Sequence, residues 1–291
     1  MTPFGLLNVS AMAKNLISEY SEWMVARGYL AATSAETYCN DIRLFARWAK
    51  QSSRVSSWSS AATKDFEDFV SYLVANDYEF VTINRILSAL TSLYSWLKHQ
   101  GRLSQNPLYD VRRLRPDFKQ RQPIAAEAIR KALLSTKVLP STKAMIALLA
   151  ESGLRLGEAQ KLMPSDINLA TKEIMVQGKG RSHRIAHFGD TAALYLNEYM
   201  SGRSFPDGLF PLSRRQYNWD VYHALAPFCG GRKCSPHILR HTFATLSLEN
   251  GMPLQSLSVT LGHKNLATTM IYNHASSEAI HNDYCKFAPK F

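Results

Sequence analysis

The sequence predicts a mainly α protein of two domains, a helical bundle followed by an α-rich domain with a small β-hairpin or sheet. Three observations carry that expectation. Four stretches in the first hundred residues repeat apolar side chains at three- and four-residue spacing, a proline- and arginine-rich stretch interrupts the pattern after residue 103, and one short β-prone window stands among the helices that resume beyond 124.

The first domain, residues 1 to 103, holds the four helical stretches. MAKNLISEYSEWMVARG places Leu16, Tyr20, Trp23 and Met24 on one face, and SAETYCNDIRLFARWAK does the same with Tyr38, Ile42, Phe45 and Trp48. KDFEDFVSYLVAN and VTINRILSALTSLYSWLKHQG follow. Thr33 or Ser34, and Thr63, are the expected helix starts, with Gly28 and Gly101 as stops. Residues 104 to 123 then read as an interdomain linker, because QNPLYDVRRLRPDFKQRQP contains Pro107, Pro116 and Pro123 with a run of basic residues between them. Such a tether is either simply solvated or suited to lie along a phosphate backbone.

From 124 to 291 helices return in AEAIRKALLS and TKAMIALLAESG. EIMVQGKGRSHRIAHFG is then two β-prone runs around Gly-Lys-Gly, which reads as a hairpin presenting Lys179 at its tip. Helices are expected again in TAALYLNEYMSG, RRQYNWDVYHALAPF, SPHILRHTFATLSLENG and PLQSLSVTLG, with a last one around 276 to 287. That last helix carries an apolar stripe of Ala279, Ile280, Tyr284 and Phe287, which suits docking on a neighbouring protomer or on its own domain.

Composition narrows the function. With 46% hydrophobic and 20% charged residues the chain is an ordinary globular one, with no apolar run long enough to span a bilayer and no basic start typical of a signal peptide. A cytoplasmic location is the default expectation. Four cysteines, Cys39, Cys229, Cys234 and Cys285, are too few and too scattered for a disulfide scaffold. The net charge of +11 points to a polyanionic partner, nucleic acid before membrane. Its placement adds weight: basic residues barely outnumber acidic ones in 1 to 103, and the surplus lies in the linker and beyond.

In the second domain several polar residues interrupt apolar helical patterns. Arg155 follows the glycine that ends an apolar helix in ESGLRLGEAQKL, and Lys179 sits on the hairpin tip. His237 and Arg240 in SPHILRHTF share one helix face behind Ser235 as N-cap and Pro236 at the first helical position, and His263 and Tyr272 lie in GHKNLATTMIYNH. Two arginines, a lysine, two histidines and a tyrosine, without paired carboxylates, suit a phosphodiester. Guanidinium groups bind phosphate oxygens in bidentate fashion and stabilise a pentacoordinate transition state. A tyrosine hydroxyl can attack phosphorus, and a lysine or histidine can protonate the departing alkoxide.

These four boxes, in this order, resemble those of the tyrosine recombinases (phage-type integrases), and the Xer-like branch most of all. The resemblance covers essentially the whole chain, residues 1 to 103 being similar to the family's SAM-like core-binding domain, which clamps DNA, and 124 to 291 to its catalytic domain. It implies Tyr272 as nucleophile in a 3′-phosphotyrosyl link, Arg155 and Arg240 as a clamp on the scissile phosphate, Lys179 as general acid, His237 as an aid to proton transfer and His263 as a hydrogen-bond donor to a phosphate oxygen. Glu158 matches an acidic position that supports the arginine box. It further implies site-specific recombination through a Holliday junction, with no metal, nucleotide or other cofactor. The implied partners are duplex DNA carrying a recombination site and further copies of the chain, two per site and four per synapse, or a paralogous recombinase; the location would be cytoplasmic and nucleoid-associated. The hairpin departs from the usual pattern at His183 and His187, and QPIAAEAIRKAL departs from the usual start of the catalytic domain.

Rival readings remain at this point. Tyr272 alone suits packing, Lys179 a solvated turn, Arg155 a helix C-cap and Arg240 a pair with Glu249 or another acid. Topoisomerase-like nicking and religation would use the same chemistry without strand exchange, and a silent DNA-binding accessory protein would keep the fold alone. Cys229, Cys234, His237 and His241 have the spacing C-x4-C-x2-H-x3-H, compatible with structural zinc although the set lacks the glutamate of a zinc protease helix.

Overall fold

The computed structural model describes residues 11–53, 55, 57–115, 122–177, 183–262 and 277–291, and it divides the chain into two compact units at Lys119 and Gln120. The described residues are mainly helical, with one small sheet.

In the first unit the four periodic stretches are helices α1 (Ala11–Ala26), α2 (Ala32–Ser52), α3 (Thr63–Ala75) and α4 (Phe80–His99). Their apolar faces meet in one core. Phe45 stacks on Phe66 at 4.9 Å and meets Phe69 edge-on at 5.1 Å, and Tyr20 buries its ring while donating its hydroxyl to Ser92 Oγ at 2.8 Å. Gly28 and Gly101 adopt the left-handed turns expected after α1 and α4. The helix starts differ from those expected. The N-caps are Ala31 and Ala62, neither of which caps with its side chain, and the Asp65 carboxylate reaches back to accept the Ala62 N–H at 2.8 Å. Thr63 instead donates to the Pro107 carbonyl at 2.9 Å.

That contact belongs to a second difference. Residues 104–115, read as linker, lie against this bundle. Leu108 and Val111 are buried in its core, the Asn106 amide donates to the Thr91 carbonyl at 3.0 Å, and Arg113 donates to the Asn84 carbonyl at 2.7 Å. Half of the apparent tether is thus a packed strap, and Arg113 is engaged with its own unit.

The second unit is built around α6 (Pro140–Ser152), a helix so central that nearly its whole last three turns are buried. It follows α5 (Ala126–Leu134) and leads through a glycine turn into the short α7 (Leu156–Ala159). Three antiparallel strands come next in the order β1 (Ile167–Asn168), β2 (Glu173–Gln177), β3 (His183–His187), the two-residue β1 being additional to the expected hairpin. Ile174 and Val176 turn one sheet face to the core, with Ala186 opposite Ile174. The remaining helices are α8 (Asp190–Met200), α9 (Arg214–Leu225), α10 (Pro236–Glu249), α11 (Leu254–Leu261) and α12 (Ser277–Phe287).

Two arrangements fix the helices that matter for the site. Glu151, buried near the end of α6, accepts the Ala192 N–H at 2.9 Å and so satisfies the start of α8. The Tyr284 hydroxyl of α12 donates to the Glu151 carbonyl at 2.8 Å, and its ring is buried against Phe243 of α10. Tyr284 and Phe287, half of the stripe offered for docking on a neighbour, therefore pack on their own unit.

Gly153 closes α6 with φ of +63°, and a Cβ there would lie 2.5 Å from Phe243 Cδ1 and 2.8 Å from Leu261 Cδ2. Both the backbone and the space demand glycine. Gly153→Ala is expected to destabilise the second unit by about 1–3 kcal/mol, read as a drop of several degrees in its thermal transition. An unchanged transition would contradict this close packing of α6 on α10 and α11.

Candidate active site

The left-handed turn at Gly153 brings the chain from α6 to Arg155, the residue that caps α7 with extended backbone. Glu158, three residues on, accepts the Arg155 backbone N–H at 2.9 Å and the Arg155 Nη1 at 2.9 Å. One carboxylate therefore starts the helix and holds the arginine beside it. Arg184 reaches the same carboxylate from β3 in a two-pronged pair, Nη1 to Oε1 and Nη2 to Oε2, each at 3.2 Å. Burial pushes the Glu158 carboxyl up, but the hydrogen bonds and charge of Arg184 and the Arg155 N–H outweigh it and hold the group below its ordinary range.

Arg240 rises from α10 into the same place and is buried, only 6% exposed. Its Nη1 donates to the Gly153 carbonyl at 2.6 Å and its Nη2 to the Leu261 carbonyl at 2.8 Å. These carbonyls lie at the C-terminal ends of α6 and α11, where the helix dipoles favour a cation. Burial first, then the nearby Arg155 and Arg184, push its pKa down to about 10 against the pull of Glu158, so it stays charged at neutral pH. No pairing with Glu249 is needed to explain it. Arg155 Nη2 approaches the next carbonyl, Gly262, at 3.4 Å, so the two arginines sit over consecutive carbonyls of one helix end.

Gly262 is itself constrained, with φ of +63° and space for a Cβ closed by Arg184 Nε at 2.9 Å. That Nε is buried and has no hydrogen-bond partner among the described residues. Three guanidinium groups thus surround one carboxylate and leave a net positive cluster, with Arg155 about half exposed at its mouth. Such a cluster is equipped to take an anion of phosphate type.

Of the six residues proposed from sequence, the structure brings Arg155 and Arg240 together and places His237 exposed on α10, three residues before Arg240. Lys179, His263 and Tyr272 lie outside the described residues. Arg184 was missed. Its signal was available, since alternation in β3 puts Arg184 opposite Val176 on the inward face, and an arginine there requires a carboxylate partner. Cys229, Cys234, His237 and His241, the set compatible with zinc by spacing, do not bring three donor atoms within 4.8 Å of one another.

Because Glu158 titrates below the ordinary carboxylate range of about 4.3, its charge stabilises the fold above that pH and the contribution is lost as pH falls through its lowered value. Glu158→Gln is expected to destabilise the protein by about 1–3 kcal/mol at pH 7. The gap between variant and parent melting temperatures should close below about pH 4. A gap independent of pH would contradict this role for the carboxylate.

The chain is 27% identical to tyrosine recombinase XerD of Oceanobacillus iheyensis, over 96% of this chain and 100% of that protein, and 28% identical to tyrosine recombinase XerD of Yersinia pestis, over 94% and 97%. The fold is shared with the Tn1549 transposon integrase in complex with circular intermediate DNA (TM-score 0.68, 18% identity, 92% of this chain and 98% of that chain). It is shared also with the XerH site-specific recombinase bound to its difH substrate (TM-score 0.63, 21% identity, 91% and 83%). The phage integrase family profile matches residues 122–279 and the phage integrase N-terminal SAM-like domain matches 17–101, and the chain belongs to that family.

Proposed function

We propose that the chain is a site-specific DNA recombinase that cleaves and rejoins strands of duplex DNA at Tyr272, through a 3′-phosphotyrosyl intermediate and a Holliday junction. The observation that carries this reading is the cluster of Arg155, Arg184 and Arg240 around Glu158, held at the ends of α6 and α11. Its excess positive charge is fixed before any DNA arrives, so little reorganisation accompanies the build-up of charge on a pentacoordinate phosphorus. Arg155, exposed, would close on one non-bridging oxygen, and Arg240 would present its remaining polar edge to the other.

In this scheme the Tyr272 oxygen attacks phosphorus and the 5′ oxygen leaves, taking a proton from Lys179. One phosphodiester is exchanged for another, so the step is isoenergetic and reverses when the 5′ hydroxyl of a partner strand attacks the phosphotyrosine. His237, exposed beside Arg240, would assist the proton transfer at Tyr272, and His263, the residue after Gly262, would donate to a phosphate oxygen. Duplex DNA is the partner that the +11 charge favours, with binding that weakens steeply with salt. Assembly as two protomers per site and four per synapse, or with a paralogous recombinase, belongs to the same proposal, as do a cytoplasmic location and association with the nucleoid. Among the described residues no helix is long and apolar enough to cross a membrane.

A nicked suicide duplex bearing the protein's site, analysed by denaturing electrophoresis, tests the chemistry. The parent should form a covalent adduct and Tyr272→Phe none, while Arg184→Ala should lower its rate of formation by about tenfold or more. An adduct that persists in Tyr272→Phe would move the nucleophile elsewhere. Relaxation of supercoiled DNA lacking any paired site would favour the topoisomerase-like alternative over strand exchange.

A further inference from the structure

We propose that Glu173, His187 and His281 form a site for a divalent transition-metal ion of zinc type, which ties helix α12 to the β-sheet. The three residues each offer a donor atom, and these atoms lie within 4.8 Å of one another. Glu173 and His187 are direct partners in the antiparallel pairing of β2 with β3, so their side chains leave the sheet together. They do so on the face opposite Ile174 and Val176, and His281 comes down on them from α12. The anchor of that helix is Tyr284, one turn further along, whose buried hydroxyl is held by the Glu151 carbonyl.

The geometry fits coordination. His187 Nδ1 and His281 Nδ1 face each other at 3.2 Å, with ring centroids 4.5 Å apart and planes inclined at 62°. Two imidazole nitrogens on a tetrahedral zinc, each at about 2.0–2.1 Å, are about 3.3 Å apart, which is the separation found. The surroundings orient the donors. Cys285 Sγ lies 3.5 Å from His281 Nε2, and with that nitrogen protonated toward sulfur, Nδ1 turns its lone pair to His187. Thr171 Oγ1 donates to Glu173 Oε2 at 3.0 Å and steadies the carboxylate.

The site is separate from the arginine cluster, because Arg184 and His187 are an odd number of residues apart on β3 and leave it on opposite faces. It takes no part in transesterification. Its consequence is mechanical: a bound ion would pin α12 to the strand that also carries Arg184.

The test uses the full chain, stripped with a chelating resin and then dialysed against zinc chloride alone, with metal counted by mass spectrometry. One zinc per chain is expected, with a raised melting temperature. His187→Gln and His281→Gln should each lose the bound equivalent, Glu173→Gln should weaken binding by more than about tenfold, and Cys229→Ser should bind as the parent does. Since His187 is buried and its variant is the one at risk of misfolding, His281→Gln, at a half-buried position, is the deciding variant. Cobalt substituted for zinc should give a tetrahedral ligand-field spectrum without a thiolate charge-transfer band. Failure of the parent to bind, retention of one equivalent by His281→Gln, or a thiolate band would each overturn the proposal.

Discussion

The second unit depends on how it accommodates one buried cation. Removing an arginine from water is strongly unfavourable unless its donors are met, and Arg240 is met by the carbonyls at the ends of two helices, Gly153 after α6 and Leu261 at the end of α11. The guanidinium serves as a shared C-cap. It satisfies carbonyls that no intrahelical N–H can reach, and it binds α10 to both helices at once. The demand for glycine at 153 and 262 follows from the same crossing, where the chain must turn left-handed with side chains packed close against it.

The capped crossing also sets the electrostatics. Arg155 leaves the α6 turn and Arg184 arrives from β3, and a single carboxylate, Glu158, receives both. A second acid would have neutralised the cluster and made it a structural ion network. With one acid for three guanidinium groups among the described residues, the cluster retains local positive charge whose natural complement is an anion. The arrangement also explains why the arginines resist the bland readings open to each of them: Arg155 does approach a helix end, yet its stronger bonds go to Glu158, and Arg240 pairs with backbone and not with Glu249.

Most helices were legible because their periodicity reports one buried face, as with Tyr20, Ile42 and Phe45 in the bundle. What sequence reading missed was decided by contacts distant in sequence. At Ala62 the Asp65 carboxylate supplies an acceptor for the N-cap backbone N–H, and at Ala31 the extended backbone turns its carbonyl to the Ser34 and Ala35 N–H groups with no side-chain cap. Residues 104–115 looked like a tether for their prolines and arginines, but Leu108 and Val111 had an apolar groove to fill. Of the candidate site, the spacing of the boxes picked out Arg155 and Arg240, which the fold brings side by side. Arg184 was hidden because its meaning depends on strand register, and the His187–His281 contact was hidden because it joins residues that only the docking of α12 brings together.

If the arginine cluster exists to neutralise the charge of one phosphodiester, removing that charge should make the cluster dispensable. The most direct measurement replaces the phosphodiester at the scissile position of the duplex with a neutral methylphosphonate and compares cleavage by the parent and by Arg155→Met, the exposed member whose loss least endangers the fold. The variant should be slowed by about a hundredfold or more on the natural substrate and only slightly on the neutral one. An equal loss on both substrates would contradict a role on phosphate charge and assign Arg155 to the protein's own structure.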